Sequence, residues 1–445
     1  MQEAYYGTSC SRDSNRAGLL LRQVRRSLFR LHLGLGTAAA VYICLVSLSG
    51  CVVLFEHEIL NNTFPDGFDR EQASEYHGFV AELGLVAAVE LAGARTPVSG
   101  PVWARLCRMV DDAAAVLDET GRAPRQGDSD DGRALVIDPP GVNRWHSLLA
   151  LGSSLFAPAC WWPAAPPGVT STLAGALGGP RPVSAGRPVR RPSHFPDAGL
   201  TILRSTADEV EIWCRCDGGP HGFLALSGHA HADALSIEVR CGGVDILTDP
   251  GTYCYHGQPN WRGYFRSTVG HNTIELEGGD QSVSGGPFLW LRHANARVVD
   301  VDTDGEAGVV RWSAEHDGYV ALVPPAVHRR SVALDRHRRR LDIVDRITSE
   351  VPRRLRMAFH LGPALALHLD GGCAELRWRT PEGSATAWLR LPDELAWSVH
   401  RGECHPPLGW YSDRFGVKEP ASTLIGAGRT APGRQELRSR LQFSP

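Results

Sequence analysis

The chain has 445 residues, which is more than one compact core usually contains, so we expect two or three domains. Hydrophobic residues make up 43% of the chain and charged residues 21%, which is typical of a folded protein. The formal net charge is -3, which argues against binding to nucleic acid through an overall positive charge. We therefore expect no nucleic-acid partner.

The first feature along the chain is an apolar segment that extends from Leu31 to Phe55. A helix needs about 20 such residues to cross a bilayer, so the segment predicts a transmembrane helix. A buried helix of a soluble domain is the alternative. Because the basic flank of a membrane helix stays in the cytoplasm, we predict a membrane-anchored protein with its C-terminal domains on the periplasmic or extracellular side. The charged flanks are Arg22, Arg25, Arg26 and Arg30 before the segment, and Glu56 and Glu58 after it.

The next part of the chain has the apolar spacing of helices. A first helix contains the motif SEYHGF, Pro101 suits the start of a second, and a third apolar segment extends from about Trp145 to Trp162. These are too few helices for a large independent domain. The following residues are rich in proline, glycine, serine and arginine, which predicts a linker.

Two polar motifs lie in this helical part. In SEYHGF, Tyr76 and His77 point about 100° apart on a helix and can line one edge of a cleft. The alternative is a core tyrosine beside a surface histidine. The motif GDSDDGR is similar to a calcium loop, but Pro139 stands where a bidentate glutamate is needed. A turn with exposed carboxylates is therefore the favoured interpretation of Asp128, Asp130 and Asp131.

From about Leu200 onward the sequence changes to short runs in which apolar and polar residues alternate, separated by turn residues. This pattern is typical of antiparallel sheets packed as a β-sandwich. The run LSIEVRCGGVDILTD predicts a hairpin that turns at Gly242 and Gly243.

A cluster of histidines and one aspartate lies on this predicted scaffold. His229 and His231 are two residues apart, so on a strand both side chains point to the same face. Asp249 ends the next predicted strand, and His271 begins another. Two imidazoles and a carboxylate on neighbouring strands make a metal site, most often for zinc. Hydrogen-bonded polar packing at the end of a sheet is the alternative.

The stretch that carries this cluster resembles a known family. GHAHADALSIEVRCGGVDILTDPGTYCYHGQPNWRGYFRSTVGHNTIEL, continuing through GGDQSVSGGPFLW, strongly resembles the C-terminal domain of heparinase II/III-like proteins and related alginate lyases. Upstream, FPDGFDREQASEYHGFVAELG and PRQGDSDDGRAL resemble the end of the helical toroid of that family. A separate resemblance links the stretch from Arg25 to Leu60 to the first membrane helix of PepSY-associated transmembrane proteins.

Together with the apolar segment, the heparinase-like resemblance implies an α+β protein in which one transmembrane helix precedes truncated α/α-toroid helices and a large antiparallel β-sandwich. We place the membrane segment at residues 1–60, the partial toroid at 61–162, the linker at 163–197 and the sandwich at 198–445. Because a membrane helix stands where the family has further toroid helices, we expect part of the substrate cleft to be missing.

The resemblance also implies a polysaccharide lyase that cleaves a uronic-acid-containing polysaccharide, heparan sulfate-like, heparin-like or alginate-like, by β-elimination. In the family pattern His229 acts in catalysis, while His231, Asp249 and His271 bind a metal, expected to be Zn²⁺ in a mainly structural role. The alternative is a catalytically weak or inactive envelope protein that binds glycans and keeps the metal site.

Further site residues follow from the same resemblance. Tyr76 and His77 occupy what resembles the catalytic motif of the toroid, and Tyr264 in WRGYFRS is another catalytic candidate. Substrate binding is expected of Arg266, Asn272 and Glu75. A guanidinium such as that of Arg266 can hold a carboxylate through two parallel hydrogen bonds.

Overall fold

The computed structural model describes residues 55–181, 186–205, 210–305, 307–381 and 383–444. The predicted transmembrane segment lies outside the described residues except for Phe55, and the stretch resembling a PepSY-associated helix lies mostly outside them. Within the described ranges, no helix is long and apolar enough to cross a membrane. Membrane insertion of the N-terminal segment therefore stays a prediction.

The helical part of the described chain starts with a short helical stretch at 55–62 and continues with four helices that pack on one another. Their bounds are α1 (Ser74–Gly93), α2 (Gly100–Val116), α3 (Arg144–Leu155) and α4 (Val169–Gly178). The predicted helices are confirmed, with Pro101 in the first turn of α2. That they form part of a toroid stays a prediction.

The segment predicted as a linker is not structureless, because α4 lies inside it. The helix is closed at its start by Ser171, whose hydroxyl accepts a hydrogen bond from the backbone N–H of Gly168 at 2.9 Å. Asp138 accepts another from the N–H of Thr170 at 3.0 Å. These bonds satisfy N–H groups that a helix start leaves open. The amino-acid composition of this segment predicted a linker. Composition alone does not show that Asp138, 32 residues before Thr170, supplies a hydrogen-bond acceptor to the start of α4.

The β-rich part begins with a five-stranded antiparallel sheet in the order β1-β2-β3-β4-β5. Its strands are β1 (His194–Phe195), β2 (Leu200–Arg204), β3 (Ile212–Asp217), β4 (Ile237–Cys241) and β5 (Val244–Leu247). The predicted hairpin is confirmed: β4 and β5 pair through a turn in which Gly242 and Gly243 have φ of 59° and 72°. Positive φ at both central residues is the conformation in which glycine is favoured.

The chain then forms α5 (Pro259–Arg266) and a 3₁₀ helix (Thr268–Gly270), followed by the remaining strands. These are β6 (Ile274–Leu276), β7 (Val283–Gly286), β8 (Leu289–Arg292), β9 (Ala296–Asp302), β10 (Val309–His316), β11 (Ala326–Asp335), β12 (Arg340–Ser349), β13 (Arg354–His360), β14 (Ala366–Asp370), β15 (Cys373–Thr380), β16 (Gly383–Arg390), β17 (Ala396–Arg401), β18 (Glu403–Cys404), β19 (Pro407–Leu408), β20 (Trp410–Tyr411), β21 (Glu419–Pro420), β22 (Ser422–Arg429) and β23 (Gly433–Phe443).

These strands form an eight-stranded sheet in the order β14-β15-β16-β23-β12-β11-β10-β9 and a four-stranded sheet in the order β17-β22-β13-β6. Three two-stranded sheets, β7-β8, β18-β19 and β20-β21, complete the strands of the described ranges. One hydrophobic core joins the three larger sheets, for example through Val239 on β4, Ile343 on β12 and Met357 on β13, all fully buried. Fully buried residues alternate with less buried ones along β12, and this alternation explains why the sequence pattern predicted a layered, antiparallel arrangement.

Candidate active site and metal centre

The histidines and the aspartate singled out from the sequence lie on loops at the ends of strands. His229 and His231 are in an irregular segment that leads into β4, Asp249 follows β5, and His271 follows the 3₁₀ helix. The expectation that His229 and His231 lie on a strand was wrong. Ser227 and Leu235 have φ of 45° and 62°, and this left-handed backbone interrupts an extended chain on both sides of the pair.

Asp128 is the residue on which this site converges, although the sequence favoured an exposed turn for it. Its carboxylate is fully buried and receives both guanidinium nitrogens Nη1 and Nη2 of Arg262. Asp128 Oδ1 lies 2.9 Å from His231 Nε2, and Oδ2 lies 3.3 Å from His229 Nδ1. Burial opposes ionisation, but the hydrogen bonds from the two histidines and the arginine hold the pKa of Asp128 well below its usual range.

The loop that carries Asp128 is held against His229 by its backbone. The N–H of Asp128 donates to the carbonyl of His229 at 2.9 Å, and the preceding Gly127 has φ of 66°. A Cβ atom at Gly127 would lie 2.9 Å from the same carbonyl oxygen, so a side chain there would push the two loops apart. Glycine at this position is therefore required for the contact between Asp128 and His229.

His229 faces the helical part of the chain. Its ring stacks on that of Tyr76 with centroids 3.8 Å apart and an interplanar angle of 26°. With Nδ1 against Asp128, the other ring nitrogen, Nε2, points to the side where Glu71 Oε2 lies 3.8 Å away. The side chain of His229 is 21% exposed, so a ligand can reach it. The structure thus brings together His229 and Tyr76, two of the predicted catalytic residues.

Tyr255 belongs to the same group and was missed in the sequence. Its hydroxyl oxygen lies 3.1 Å from that of Tyr76, and the Tyr76 hydroxyl donates to Asp130 Oδ2 at 2.9 Å. Burial raises the pKa values of both Tyr76 and Tyr255, so both phenols stay protonated at neutral pH. The arrangement places two phenolic protons beside an imidazole.

A pair of facing imidazole nitrogens marks the candidate metal centre. His231 directs Nε2 to the ionised carboxylate of Asp128, and His271 directs Nδ1 to the carbonyl of Ser267 at 2.8 Å. Both partners only accept hydrogen bonds, so these two nitrogens carry the protons. The remaining nitrogens, His231 Nδ1 and His271 Nε2, are 3.2 Å apart and face each other with lone pairs. Two facing lone pairs repel each other, whereas a cation between the two nitrogens would attract both of them.

Two buried carboxylates face the same space. Asp249 Oδ2 lies 3.6 Å from His271 Nε2, and within the described residues it has no hydrogen-bond partner. Oδ2 of Asp233 is also buried and unpartnered there. One ligand atom from each of Asp233, Asp249 and His271 lies within 4.8 Å of the others. Burial raises the pKa of Asp233 to about 7; the positive charge of Arg215 opposes this rise, and the negative charge of Asp249 adds to it.

The donor set fits zinc. Tetrahedral zinc with Zn–N bonds of about 2.0–2.1 Å separates two nitrogen ligands by about 3.3 Å, close to the observed 3.2 Å between His231 and His271. The orphaned oxygens of Asp249 and Asp233 would supply the other positions. Of the predicted ligands, His271 lies beside both His231 and Asp249. The group of mutually close ligand atoms consists of Asp233, Asp249 and His271, so Asp233 is an additional candidate that was not expected from the sequence.

His77 does not reach this site. It is 2% exposed, its Nδ1 accepts the N–H of Asp69 at 3.2 Å, and its Nε2 lies 3.0 Å from the carbonyl of Met109. Both ring nitrogens are therefore used inside the helical part. Burial lowers the pKa of His77 to about 4. Its position indicates packing, in contrast to the catalytic role expected from SEYHGF.

The other predicted catalytic residue, Tyr264, is 5% exposed and lies in a hydrophobic cluster with Phe265 and Leu408. Its hydroxyl oxygen accepts the N–H of Trp410 at 3.4 Å, and burial raises its pKa. The structure therefore does not bring Tyr264 to His229.

The predicted substrate-binding residues are engaged elsewhere. Asn272 is fully buried and bridges backbone groups of three segments, those of Ile237, Thr248 and His360. Arg266 is 3% exposed and donates to backbone carbonyls, with its guanidinium over the Trp290 ring. Glu75 forms an ion pair with Arg144 at the wall of a cavity of about 160 Å³.

A family model for the C-terminal domain of heparinase II/III-like proteins matches residues 187–440, which is more than half of the chain. The chain belongs to the heparinase II/III-like family. This confirms the resemblance of the β-rich part of the chain, which contains His229, His231, Asp249 and His271. A comparison with curated protein sequences gave no match.

Solved structures share the fold of this heparinase II/III-like chain. A heparinase III gene product matches with a TM-score of 0.64 and 14% identity over 88% of this chain and 55% of that chain. Heparan sulfate lyase HepC from Pedobacter heparinus matches with a TM-score of 0.63 and 16% identity, again over 88% of this chain and 55% of that chain. The chain thus spans little more than half the length of these relatives.

Four site residues were not expected from the sequence of this family member, because the sequence around each of them shows little that indicates a role. They are Asp128, Asp233, Tyr255 and Arg262. Asp233 continues the alternation of HAHAD, so spacing could have found it. Tyr255 follows the DPG turn in PGTYCYHG but stands beside Tyr253, and sequence does not tell the two apart. Asp128 and Arg262 are 134 residues apart along the chain, and no local pattern connects them.

Proposed function

We propose that this heparinase II/III-like protein is a polysaccharide lyase that cleaves a uronic-acid-containing polysaccharide by β-elimination. The observation that carries the proposal is the group formed by His229, Tyr76 and Tyr255, in which one imidazole nitrogen has no hydrogen-bond partner among the described residues and lies beside two phenols. β-Elimination needs a base that takes the C5 proton and an acid that protonates the departing glycosidic oxygen. This group offers both.

His229 is assigned as the base. Its Nδ1 proton is held by Asp128, so the lone pair of Nε2 is available for the C5 proton of the uronate. As that proton moves to Nε2, the C4–O bond breaks and a C4–C5 double bond forms. The imidazolium that results is stabilised by the ionised carboxylate of Asp128.

Tyr76 and Tyr255 are assigned as the acid pair. Both phenols carry a proton at neutral pH, and one such proton can pass to the glycosidic oxygen as the C4–O bond breaks. The hydroxyl–hydroxyl contact of 3.1 Å lets one phenol replace the proton that the other has donated. Asp130, which accepts from Tyr76, orients this pair.

The uronate carboxylate must also be neutralised. Arg266 and Asn272 were expected to do this, but both are enclosed and bonded to backbone groups, so neither is assigned that role. Glu71 and Asp130 near the reacting groups add negative charge, which favours a substrate whose carboxylate lies away from them.

We propose zinc as the metal, bound by His231, Asp249 and His271, with Asp233 beside them. Its role is mainly structural, because these residues come from three separate loops that also position His229. Zinc would give the facing imidazole nitrogens a cation to bind, and it would add to the positive charge of Arg215, which lies 3.7 Å from Asp249.

The proposal is tested by incubating the purified protein with heparin, heparan sulfate, hyaluronan, chondroitin sulfate and alginate, and measuring the ultraviolet absorbance of unsaturated uronate. We expect His229→Ala to reduce the rate on the accepted polymer by about 100-fold or more, and Tyr255→Phe to reduce it substantially, since each removes a proton-transfer group. Tyr253→Phe is the matched control, because its hydroxyl contacts Gln258 instead of Tyr76. No unsaturated product from any polymer would refute lyase activity.

A second candidate function is glycan binding without cleavage. It is favoured by the enclosed positions of Arg266 and Asn272, which leave the uronate carboxylate without an assigned neutralising group. Glycan binding that His229→Ala leaves unchanged, together with no unsaturated product, would establish this alternative.

The place of action is a further part of the proposal. We expect the N-terminal apolar segment to anchor the chain in a membrane, with the heparinase-like part on the periplasmic or extracellular side where polysaccharides occur. Protease accessibility of residues 59–445 in intact cells, compared with permeabilised cells, tests this topology.

A further inference from the structure

The first aspartate of the GDSDDG motif, which holds the Nδ1 proton of His229 in the proposed proton transfers, also contacts the candidate metal ligand His231. Asp128 is 0% exposed and has partners on all sides: Arg262, His231, His229 and the backbone carbonyl of His229. A buried carboxylate is costly unless its lone pairs are satisfied, and here two imidazoles and a guanidinium satisfy them.

The position of this carboxylate is fixed. Arg262 binds it through two parallel hydrogen bonds, and Arg262 is itself held by the carbonyl of Pro287, which Nε and Nη2 approach at 3.1 and 2.7 Å. The Asp128 N–H is bonded to His229 O. With both ends anchored, Oδ1 and Oδ2 cannot exchange their partners by rotation, so each histidine meets one defined oxygen.

Each of these oxygens determines a tautomer. An ionised carboxylate only accepts hydrogen bonds, so the nitrogen facing it must carry the proton. In His229 this is Nδ1, which leaves Nε2 as the free base. In His231 it is Nε2, which turns the lone pair of Nδ1 toward His271.

We infer that Asp128 is a positioning residue that sets the tautomers of the base His229 and the metal ligand His231 at the same time, and so couples the metal centre to the base. The inference rests on the proposed function for the role of His229, but the tautomers themselves can be measured without substrate. Arg262 serves the same purpose indirectly by holding the carboxylate.

The test is Asp128→Asn, which keeps the shape of the side chain but replaces one acceptor oxygen with an NH₂ donor. One histidine must then present a lone pair where it presented a proton. We expect ¹⁵N spectra of the histidine-labelled full chain, assigned by difference with His229→Gln, to show the wild-type His229 protonated on Nδ1. In Asp128→Asn we expect His229, His231 or both to change tautomer.

On an accepted polymer, Asp128→Asn should lower kcat by about 10²–10⁴-fold, as for loss of the base, while KM changes little because Asp128 does not touch substrate. Asp131→Asn is the matched control. This neighbour in the same motif is exposed and accepts only the N–H of Phe415, so neither histidine should respond.

Two results would overturn the inference. One is a wild-type His229 protonated on Nε2 instead of Nδ1, a measurement that does not depend on whether the variant folds. The other is a folded Asp128→Asn variant with unchanged histidine tautomers. If the wild type shows the expected tautomers but releases no unsaturated product from any polymer, the lyase proposal fails while the positioning role of Asp128 is supported.

Discussion

His77 illustrates how a titratable residue in a suggestive motif can serve the fold. It is enclosed between α1 and α2, where one ring nitrogen accepts the N–H of Asp69 and the other donates to the carbonyl of Met109. This pair of bonds requires the neutral imidazole. Protonation of His77 Nδ1 would break the hydrogen bond from the Asp69 N–H, because two N–H donors would then face each other.

The first prediction concerns the pH dependence of stability. Burial lowers the pKa of His77 to about 4 from 6.5, so between these values the unfolded state binds more protons than the native state. Stability should therefore fall as pH decreases from about 6.5 to 4, by at most about 3 kcal/mol from this residue.

The measurement is the free energy of unfolding by urea at several pH values, in wild type and in His77→Asn. The variant is expected to be less stable at pH 7 but to lose less of its stability on acidification. His337→Asn is the control, since this histidine is in the turn between β11 and β12 and should leave the slope as in wild type. Equal slopes in wild type and His77→Asn would contradict the prediction.

At the scale of elements, the connections between strands carry the chemistry. The turn after β5 places Asp249 at the metal centre, and Gly251 continues it with φ of 86°. The N–H of Gly251 donates to Asp249 Oδ1 at 2.9 Å, which leaves Oδ2 directed at His271. The approach is close: a Cβ atom on Gly251 would lie 2.3 Å from the carbonyl oxygen of Ser412.

We predict that Gly251→Ala lowers the free energy of unfolding by about 2 kcal/mol or more, because a left-handed alanine costs about 1–2 kcal/mol and the clash with Ser412 adds to it. Its zinc affinity should fall as Asp249 is displaced. Gly257→Ala is the matched control: Gly257 has φ of 79° but nothing within 4 Å of an added Cβ. If both variants lower the free energy of unfolding equally, the close approach of Gly251 to the carbonyl oxygen of Ser412 does not contribute.

At the scale of the molecule, buried charges join the helical part to the sheets. Arg240 on β4 binds Asp118, which follows α2, at 2.8 Å, and Arg122 reaches Asp245 on β5 at 3.1 Å. Asp128 and Arg262 make a third link across the same boundary. Residues 59–445 accordingly form one compact unit.

Because the metal ligands come from separate loops of this unit, metal binding should stabilise it as a whole. We predict that zinc added to chelator-treated protein raises Tm, since a ligand at 100 times its Kd contributes about 2.7 kcal/mol. The His271→Ala variant should show no such rise. Thermal unfolding followed by circular dichroism, with metal content measured in parallel, makes the comparison. An equal rise in the variant would place zinc elsewhere.

The sequence by itself determined the antiparallel β-rich half, the hairpin at Gly242 and Gly243, the family, and the histidines and aspartate of the predicted metal site. The sheets and the hairpin follow from local patterns, because side chains alternate along a strand and paired glycines accept positive φ. The family follows from the resemblance of the stretch that contains these histidines and the aspartate.

Only the tertiary structure decided that Asp128 is buried between His229 and His231, that Tyr255 and not Tyr264 stands beside Tyr76, and that His77 belongs to the helical packing. The physical reason is distance along the chain. Asp128 is 101 residues from His229, and Tyr76 is 179 from Tyr255. A carboxylate can be exposed to solvent or ionised inside a buried hydrogen-bond network. Which of the two occurs depends on partners far away in the chain, which the pattern of one segment does not reveal.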